Sequence, residues 1–258
     1  MWYQILKYGL FAPGMRLVFR PWVIGEENIP ASGGAVLAAN HLGALDPLVI
    51  ASMISRKMTY PAKKELFEGR GGVGPRVVAW FMKAVDQVPL DRSGGQRSVT
   101  TMEPVLERLA EGGLVGIFPE GTRSADGRMY KARTGVARLA LRAKVPVIPV
   151  GVVGTRTAPG LFGIPLTQRP GLVIGEPLDF SDLADRAEET AVLRWVTNEV
   201  MDAIDALTGQ DYVDVYATRV KYGDLKGADL SRWQRERPGG NTVPAPRNAP
   251  SPTMRNGS

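Results

Sequence analysis

The feature of the sequence that most constrains its fold is a regular alternation of strand-length apolar runs with segments of helical periodicity. The predicted strands lie at about 34–39, 57–62, 85–90, 114–118, 145–153 and 172–174. The predicted helices lie at about 46–56, 76–84, 98–111, 134–143 and 189–208. Parallel strands need long crossovers, which are usually helical. This order therefore predicts an α/β fold with a mainly parallel sheet flanked by helices.

The first 30 residues depart from this pattern. They read WYQILKYGLF, then Ala12-Pro13-Gly14, then MRLVFRPW, so aromatic and aliphatic residues are mixed with Lys and Arg. The pattern predicts two short amphipathic helices that are separated by a Pro-Gly break and lie in a membrane interface. The alternative is a helix packed on its own domain. We therefore divide the chain into an interface helical segment (1–30), a main domain (31–225) and a tail (226–258).

The tail carries much of the net charge. Between residues 232 and 258 there are five arginines and one glutamate, so +4 of the formal +6 lies there. Its Pro, Gly and Ser content offers little to bury, which predicts a disordered basic tail. The globular part is only mildly basic. That balance disfavours a nucleic-acid partner and suits an anionic membrane surface or phosphorylated substrates.

The sequence shows no run of about 20 apolar residues that would predict a transmembrane helix. The most apolar terminal stretch, residues 1–25, is interrupted by Lys7, Arg16 and Arg20. It also lacks the basic start and small-residue cleavage site of a signal peptide. We therefore expect a peripheral or monotopic protein at the cytoplasmic face of the cell membrane.

Composition restricts the available chemistry. The chain has no cysteine, which excludes a thiol nucleophile, a disulfide framework and cysteine-ligated zinc. His41 is the single histidine, so a site built from several histidines is excluded as well. A reaction that requires an imidazole therefore has one candidate residue, His41.

His41 lies in the segment NHLGALD (40–46), directly after a predicted strand. On one continuous helix, residues five apart would point in directions about 140° apart. His41 and Asp46 can therefore meet only if His41 lies in the turn before a helix. A carboxylate bonded to one imidazole nitrogen fixes the tautomer and leaves the other nitrogen as a base. The alternative is that Asp46 only caps the helix and His41 is an ordinary loop residue.

A second segment, FPEGTRS (118–124), also follows a predicted buried strand. Open α/β sheets bind ligands at the carboxyl ends of their strands. A glycine such as Gly121 lets the backbone approach a ligand closely, and Arg123 offers a guanidinium that can hold a phosphate through two hydrogen bonds. The alternative is a strand-ending turn with a solvated arginine.

Taken together, the motifs resemble those of the glycerophospholipid acyltransferase family, which includes the bacterial and organellar 1-acylglycerol-3-phosphate acyltransferases of PlsC type. The resemblance rests on four blocks in the family's order, and it covers about residues 30–180. The blocks are NHLGALD (40–46), VPLDR (88–92), FPEGTRS (118–124) and VPVIPVG (145–151).

The resemblance implies roles for individual residues. His41 would be the general base that takes the proton from the acceptor hydroxyl, and Asp46 would orient it. Arg92 and Arg123 would hold the acceptor's phosphate. The full set of implied substrate-binding residues is Lys63, Arg92, Glu120, Gly121, Thr122 and Arg123.

The implied reaction moves a fatty acyl group from acyl-CoA or acyl carrier protein to lysophosphatidic acid, and it gives phosphatidate. It requires no cofactor and no metal. Glycerol 3-phosphate or another lysolipid is the alternative acceptor. An esterase would use the same pair, His41 and Asp46, but it would need a nucleophilic serine in a G-x-S-x-G motif. The sequence lacks that motif. A non-catalytic membrane-binding homologue is the remaining alternative. The sequence does not set the oligomeric state.

Overall fold

A computed structural model describes residues 2–90, 102–156 and 169–239. Its α-helices are α1 (Trp2–Leu6), α2 (Ala12–Phe19), α3 (Asp46–Met53), α4 (Val73–Ala84), α5 (Glu103–Ala110), α6 (Gly135–Ala143), α7 (Thr190–Thr208) and α8 (Ala217–Tyr222). Its strands are β1 (Trp22–Ile24), β2 (Ala35–Ala39), β3 (Met58–Thr59), β4 (Pro61–Lys63), β5 (Val88–Leu90), β6 (Leu114–Ile117), β7 (Met129–Tyr130), β8 (Val147–Val153), β9 (Gly171–Ile174), β10 (Tyr212–Val213) and β11 (Gln234–Arg235).

The main sheet has the order β1-β9-β8-β2-β6-β3. Among the described strands, four of its five neighbouring pairs are parallel, and β8 pairs with β9 in antiparallel fashion. The prediction of a mainly parallel α/β sheet flanked by helices is therefore confirmed. Strand β9 runs antiparallel to β8 and parallel to β1, so it joins the N-terminal segment, which supplies β1, to the main sheet.

Strand β2 is the centre of the core because all five of its residues are buried. Successive side chains of a strand point to opposite faces of the sheet. Val36 and Ala38 pack in the cluster formed with α5, α6 and α7. Ala35, Leu37 and Ala39 pack in the cluster formed with α2 and α3. Apolar residues at every position of β2 therefore reflect a strand covered on both faces.

The predicted break at Pro13 and Gly14 is wrong. Residues 2–19 form a continuous helix in which a π-helical turn, Lys7–Phe11, joins α1 to α2. A proline inside an α-helix lacks an N–H and clashes with the carbonyl four residues earlier. A π turn just before Pro13 widens the helix there, so the chain stays helical.

One face of this N-terminal helix packs on its own domain, as the alternative interpretation proposed. Tyr3 and Met15 are buried, and the Tyr3 hydroxyl accepts a hydrogen bond from the backbone N–H of Met58. The opposite face carries exposed apolar side chains. Across the described ranges, every helix falls short of the length or the hydrophobicity that a bilayer span requires.

The predicted strand 57–62 is divided in two at Tyr60. Strand β3 pairs with β6 in the main sheet, whereas β4 pairs with β5 in a separate two-stranded sheet. Pro61 has no N–H to donate to a ladder. The Tyr60 N–H instead donates to the Gln87 side chain at 2.7 Å. The chain therefore leaves the main sheet after Thr59.

Part of the predicted tail is packed against the domain. Residues 226–239 include the buried Leu230, which clusters with Leu225 and Trp233. They also supply β11, which pairs with β10 beside β7. Residues 226–239 contain Leu230 and Trp233, whereas residues 240–258 largely lack such apolar side chains. The first stretch therefore has a surface to bury against the domain. Residues 240–258 of the predicted tail and 98–101 of the predicted helix 98–111 lie outside the described residues.

A buried lysine joins the N-terminal helix to the end of α3. The Lys7 ammonium donates to the backbone carbonyls of Ile54, Ser55 and Arg56. Burial lowers the pKa of Lys7. Cations at the C-terminal end of a helix satisfy carbonyls that have no partner within the helix and interact favourably with its dipole.

We predict that Lys7→Ala lowers the free energy of unfolding by about 1.5–3 kcal/mol, the usual contribution of a hydrogen bond to a charged group. Arg16→Ala is the matched control because Arg16 is an exposed cation on the same helix. Urea denaturation of both variants measures the effect. Equal stability of the two variants would show that the Lys7 contacts contribute nothing.

Candidate active site

His41 and Asp46 meet in the turn between β2 and α3. The Nδ1 atom of His41 lies 2.8 Å from Oδ2 of Asp46. The same carboxylate oxygen accepts the backbone N–H groups of Leu42 at 2.7 Å and Gly43 at 2.9 Å. Asp46 is fully buried, and α3 begins at this residue with Leu45 as its cap. Its carboxylate therefore organises the turn that carries the imidazole, rather than only capping the helix.

The glycine of NHLGALD is required by a close backbone approach. A Cβ atom at Gly43 would lie 2.2 Å from the carbonyl oxygen of Thr155, which follows β8. No side chain fits at that distance. The chain after β8 therefore closes over the 40–46 turn, and this contact fixes the turn against the sheet.

A second buried carboxylate holds His41 through its backbone. Glu120 is 1% exposed. Its Oε1 accepts the His41 backbone N–H at 3.1 Å, and its Oε2 accepts the Tyr130 N–H at 3.0 Å. Burial raises the pKa of Glu120 to about 8, although the two hydrogen bonds act in the opposite direction. The structure thus gives Glu120 a supporting position behind His41, not an open position facing a substrate.

The imidazole of His41 lies at one end of a stack of three rings. It stacks on Phe118 with ring centroids 4.0 Å apart, and Phe118 stacks on Tyr60 at 5.7 Å. Gly116 makes room for this stack, because a Cβ atom there would lie 2.4 Å from the Tyr60 ring. Sequence reasoning assigned no role to Phe118 or Tyr60. Tyr60 in particular sits in a segment that carries no motif.

The FPEGTRS segment is attached to the histidine turn. The Ser124 N–H donates to the His41 carbonyl at 2.7 Å. Gly121 has φ +77°, a conformation that favours glycine. Arg123 is exposed on this loop, and Thr122 is half-buried. The second segment therefore reaches the catalytic candidate through the backbone and leaves the Arg123 side chain facing outward.

Arg133 is a cation beside this loop that sequence reasoning missed. Its backbone N–H donates to the Pro119 carbonyl at 2.8 Å. Its Nε atom would lie 3.1 Å from a Cβ atom at Gly121. The guanidinium also lies over the Tyr216 ring, 5.3 Å from its centroid. Arg133 lies in no recognised motif. Its position against Gly121 in the structure identifies it as a candidate site residue.

A polar network fastens the end of β2 to its neighbours. The Asn40 side chain exchanges two hydrogen bonds with the backbone of Val152, at 2.9 and 2.7 Å. It also donates to the Gln210 side chain at 2.7 Å, and Gln210 in turn donates to the Gly127 carbonyl. A cavity of about 370 Å³ beside this network is lined by Leu42, Gly127 and Gln210 among others. Gln210, after α7, was not predicted from the sequence.

The remaining predicted site residues are Lys63 and Arg92. Lys63 ends β4 and is exposed, and it lies opposite Leu90 in the two-stranded sheet. Arg92 lies outside the described residues. The structure therefore brings together His41, Asp46, Glu120 and the 121–124 loop, and it leaves the other two predicted cations to be tested.

The chain is similar in sequence to known acyltransferases. A family model described as Acyltransferase matches residues 20–153. The 1-acyl-sn-glycerol-3-phosphate acyltransferase of Bacillus subtilis (strain 168) is 33% identical over 164 residues, which is 63% of this chain and 75% of that protein. The chloroplastic 1-acyl-sn-glycerol-3-phosphate acyltransferase LPAT1 of Arabidopsis thaliana is 33% identical over 132 residues, which is 51% of this chain and 35% of that one.

A solved structure is similar as well. The crystal structure of the 1-acyl-sn-glycerophosphate acyltransferase PlsC from Thermotoga maritima superposes with a TM-score of 0.53 and 26% sequence identity. The similarity covers 75% of this chain and 78% of that one. The two chains therefore share a fold over three quarters of this sequence.

We predict that Glu120 makes stability depend on pH. Its pKa is raised in the folded chain, so the folded state keeps this proton to a higher pH than the unfolded state does. The free energy of unfolding should therefore fall as the pH rises from about 4.5, the ordinary value, toward about 8. Glu120→Gln cannot ionise and should lose this part of the slope.

The amide of Glu120→Gln can accept only one of the two backbone N–H groups, so the variant should also be about 1–3 kcal/mol less stable at low pH. Urea denaturation at several pH values between 5 and 8 measures both effects. Glu27→Gln is the matched control because Glu27 is an exposed carboxyl. An unchanged slope in Glu120→Gln would contradict the raised pKa.

Proposed function

The chain belongs to the acyltransferase family, and from this premise we propose that it transfers a fatty acyl group from an acyl thioester to the free hydroxyl of 1-acylglycerol 3-phosphate. The product is phosphatidate for phospholipid synthesis. The observation that carries the proposal is the His41–Asp46 pair, joined through the Ser124 N–H to the FPEGTRS loop. The names of the Bacillus and Thermotoga relatives support the choice of acceptor.

In the proposed mechanism His41 is the general base. Asp46 accepts a hydrogen bond from the Nδ1–H group of His41, so Nε2 carries the free lone pair. Nε2 takes the proton from the acceptor hydroxyl as its oxygen attacks the thioester carbonyl. The tetrahedral oxyanion then collapses and the carbon–sulfur bond breaks. The leaving thiolate receives the proton from the imidazolium, so the base is regenerated. The donor is acyl-CoA or acyl carrier protein.

The acceptor's phosphate is proposed to bind at the outward face of the FPEGTRS loop. Arg123 is exposed there, and Arg133 lies against Gly121. Guanidinium groups bind phosphate through charge-assisted hydrogen bonds. Lys63 and Arg92 are proposed as further cations for the same phosphate, on the strength of the family resemblance. A phosphate monoester, which carries nearly two charges at neutral pH, should then be preferred to a diester.

The enzyme is proposed to work as a peripheral protein at the anionic cytoplasmic face of the membrane, where its lipid acceptor resides. The exposed face of the N-terminal helix supports this location. Leu10, Leu17 and Val18 are exposed there, and Arg16 and Arg20 lie among them. Apolar residues combined with basic ones are typical of helices that lie in the interface of anionic membranes.

We predict that His41→Ala lowers the rate of acyl transfer about 10²–10⁴-fold, the usual contribution of general base catalysis. Folding and vesicle binding should be retained, because Asp46 keeps its two backbone donors when the imidazole is removed. A thiol-release assay with acyl-CoA and 1-acylglycerol 3-phosphate measures the rate. A variant that keeps more than about a tenth of the wild-type rate would exclude the general-base role.

We predict that the enzyme acylates 1-acylglycerol 3-phosphate faster than lysophosphatidylcholine or lysophosphatidylglycerol. Arg123→Ala should reduce the rate on the phosphate monoester about tenfold or more, since one charge-assisted bond to arginine is worth about 1.5–3 kcal/mol. Arg123→Lys should restore the rate only in part, because a lysine lacks the planar fork of the guanidinium. Products are identified by mass.

Arg128→Ala is the matched control for Arg123→Ala. Arg128 lies on the same loop, but its guanidinium is held by the carboxylate of Asp126. This control should keep the preference for the monoester. Equal rates on monoester and diester acceptors in the wild type, or the same preference in Arg123→Ala, would reject the assignment of Arg123.

A further inference from the structure

Helix α4 presents an apolar face to solvent. Val73, Val77 and Trp80 are 77%, 56% and 49% exposed. Their spacing, i, i+4 and i+7, places all three on one side of the helix. Ala79 is the buried residue of α4. An amphipathic surface helix normally buries its apolar stripe against the domain. The stripe of α4 faces solvent instead, which indicates a surface that contacts something else.

The stripe is continuous with the exposed face of the N-terminal helix. Trp80 meets Trp2 edge to face, with ring centroids 5.8 Å apart. Phe81, the next residue, meets Phe11 in the same way at 5.7 Å. Trp2 and Ile5 are both half exposed. We call the joint surface formed by Trp2, Ile5, Val73, Val77 and Trp80 the apolar platform.

The two segments that form the apolar platform carry only cations, although two acidic residues, Glu68 and Asp86, flank the second segment. Residues 1–25 and 69–85 contain no Asp or Glu. The exposed cations in these two stretches include Arg16, Arg20, Arg76 and Lys83. Apolar side chains with basic neighbours complement a bilayer that contains anionic lipid. A second copy of the chain fits less well, because a symmetric contact would bring the same cations together.

We propose that α4 inserts Val73, Val77 and Trp80 into the surface of an anionic bilayer, beside the N-terminal helix. The inference rests on the proposed function for its membrane location and adds a second membrane-binding element. One helix lying on a bilayer leaves the domain free to roll about the helix axis. Two joined helices define a plane, so they fix which side of the domain faces the lipid.

This arrangement connects the membrane contact to the site. Helix α4 leads back through a short helical turn and β4 to Tyr60. The Tyr60 ring belongs to the stack that ends at His41. Lys63, proposed above to bind the acceptor's phosphate, also lies on this connection. A bilayer-bound α4 would thus hold β4 and the Tyr60 end of the ring stack close to the surface from which a lipid acceptor comes.

The absence of cysteine from the chain allows a direct test. Val77→Cys is labelled with an environment-sensitive fluorophore, and vesicles of phosphatidylcholine and phosphatidylglycerol are added. The emission should shift to the blue and increase. Tyr222→Cys is the matched control: Tyr222 is a 71% exposed apolar residue on α8, outside the apolar platform, and its label should not respond. No response at position 77, or equal responses at both positions, would overturn the proposal.

A second measurement addresses strength of binding. Val77→Asp should weaken binding to these vesicles about tenfold, because a charge replaces an inserted apolar side chain. Tyr222→Asp should bind as the wild type does. Unchanged binding of Val77→Asp would overturn the proposal. A blue shift at position 77 that depends on protein concentration, without vesicles, would identify a second copy as the occupant and would also overturn it.

Activity separates this proposal from the proposed function. With a short-chain, monomeric 1-acylglycerol 3-phosphate and no vesicles, Val77→Asp should keep the wild-type rate. Loss of that rate would show that position 77 affects the active site or the fold. It would overturn the proposal that α4 inserts into the bilayer. A wild-type chain that binds vesicles through position 77 but transfers no acyl group would support the platform and refute the proposed function.

Discussion

The buried carboxylate of Asp46 is the interaction on which the site depends. A buried charge needs compensating hydrogen bonds, and here Oδ2 accepts three donors while Oδ1 has no hydrogen-bond partner among the described residues. Those donors are the His41 ring and two backbone groups of its own turn, so one side chain fixes both the turn and the imidazole. Glu120 supports the same residue from the backbone side. His41 is thus held by two carboxyl groups that belong to different segments of the chain.

The sheet explains why these segments meet. Strands β6, β2 and β8 are neighbours and run in the same direction, so their carboxyl ends lie at one edge. Residues 40–46 leave that edge after β2, 118–124 after β6, and 154–156 after β8. Contacts between the three loops are mainly made by backbone atoms: Ser124 with His41, and Thr155 with Gly43. Function therefore rests on loops that the parallel core holds in register.

Local patterns were sufficient for the parallel core strands and most of the crossover helices, whereas the choice of a His41–Asp46 pair over a simple helix cap came from the family resemblance. Local patterns could not predict contacts between segments that are distant in the sequence. Pro13 was expected to break a helix that a π turn and packing on α3 preserve. Glu120 carries a motif, but its buried position follows only from the fold. Arg133 was not found because nothing in its own neighbourhood marks it. Arg92 lies outside the described residues, so its place remains a prediction.

The ring stack beneath His41 has a kinetic consequence in the proposed mechanism. Phe118 covers one face of the imidazole and Asp46 holds its Nδ1, so these two contacts oppose a turn of the ring between steps. The proton must then arrive and depart through the same nitrogen, Nε2. The hydroxyl oxygen that gives the proton and the sulfur that receives it must both lie within reach of that atom. Because the acceptor oxygen attacks the thioester directly in this mechanism and no acyl-enzyme forms, both substrates have to be bound together, and the order of events is sequential rather than ping-pong.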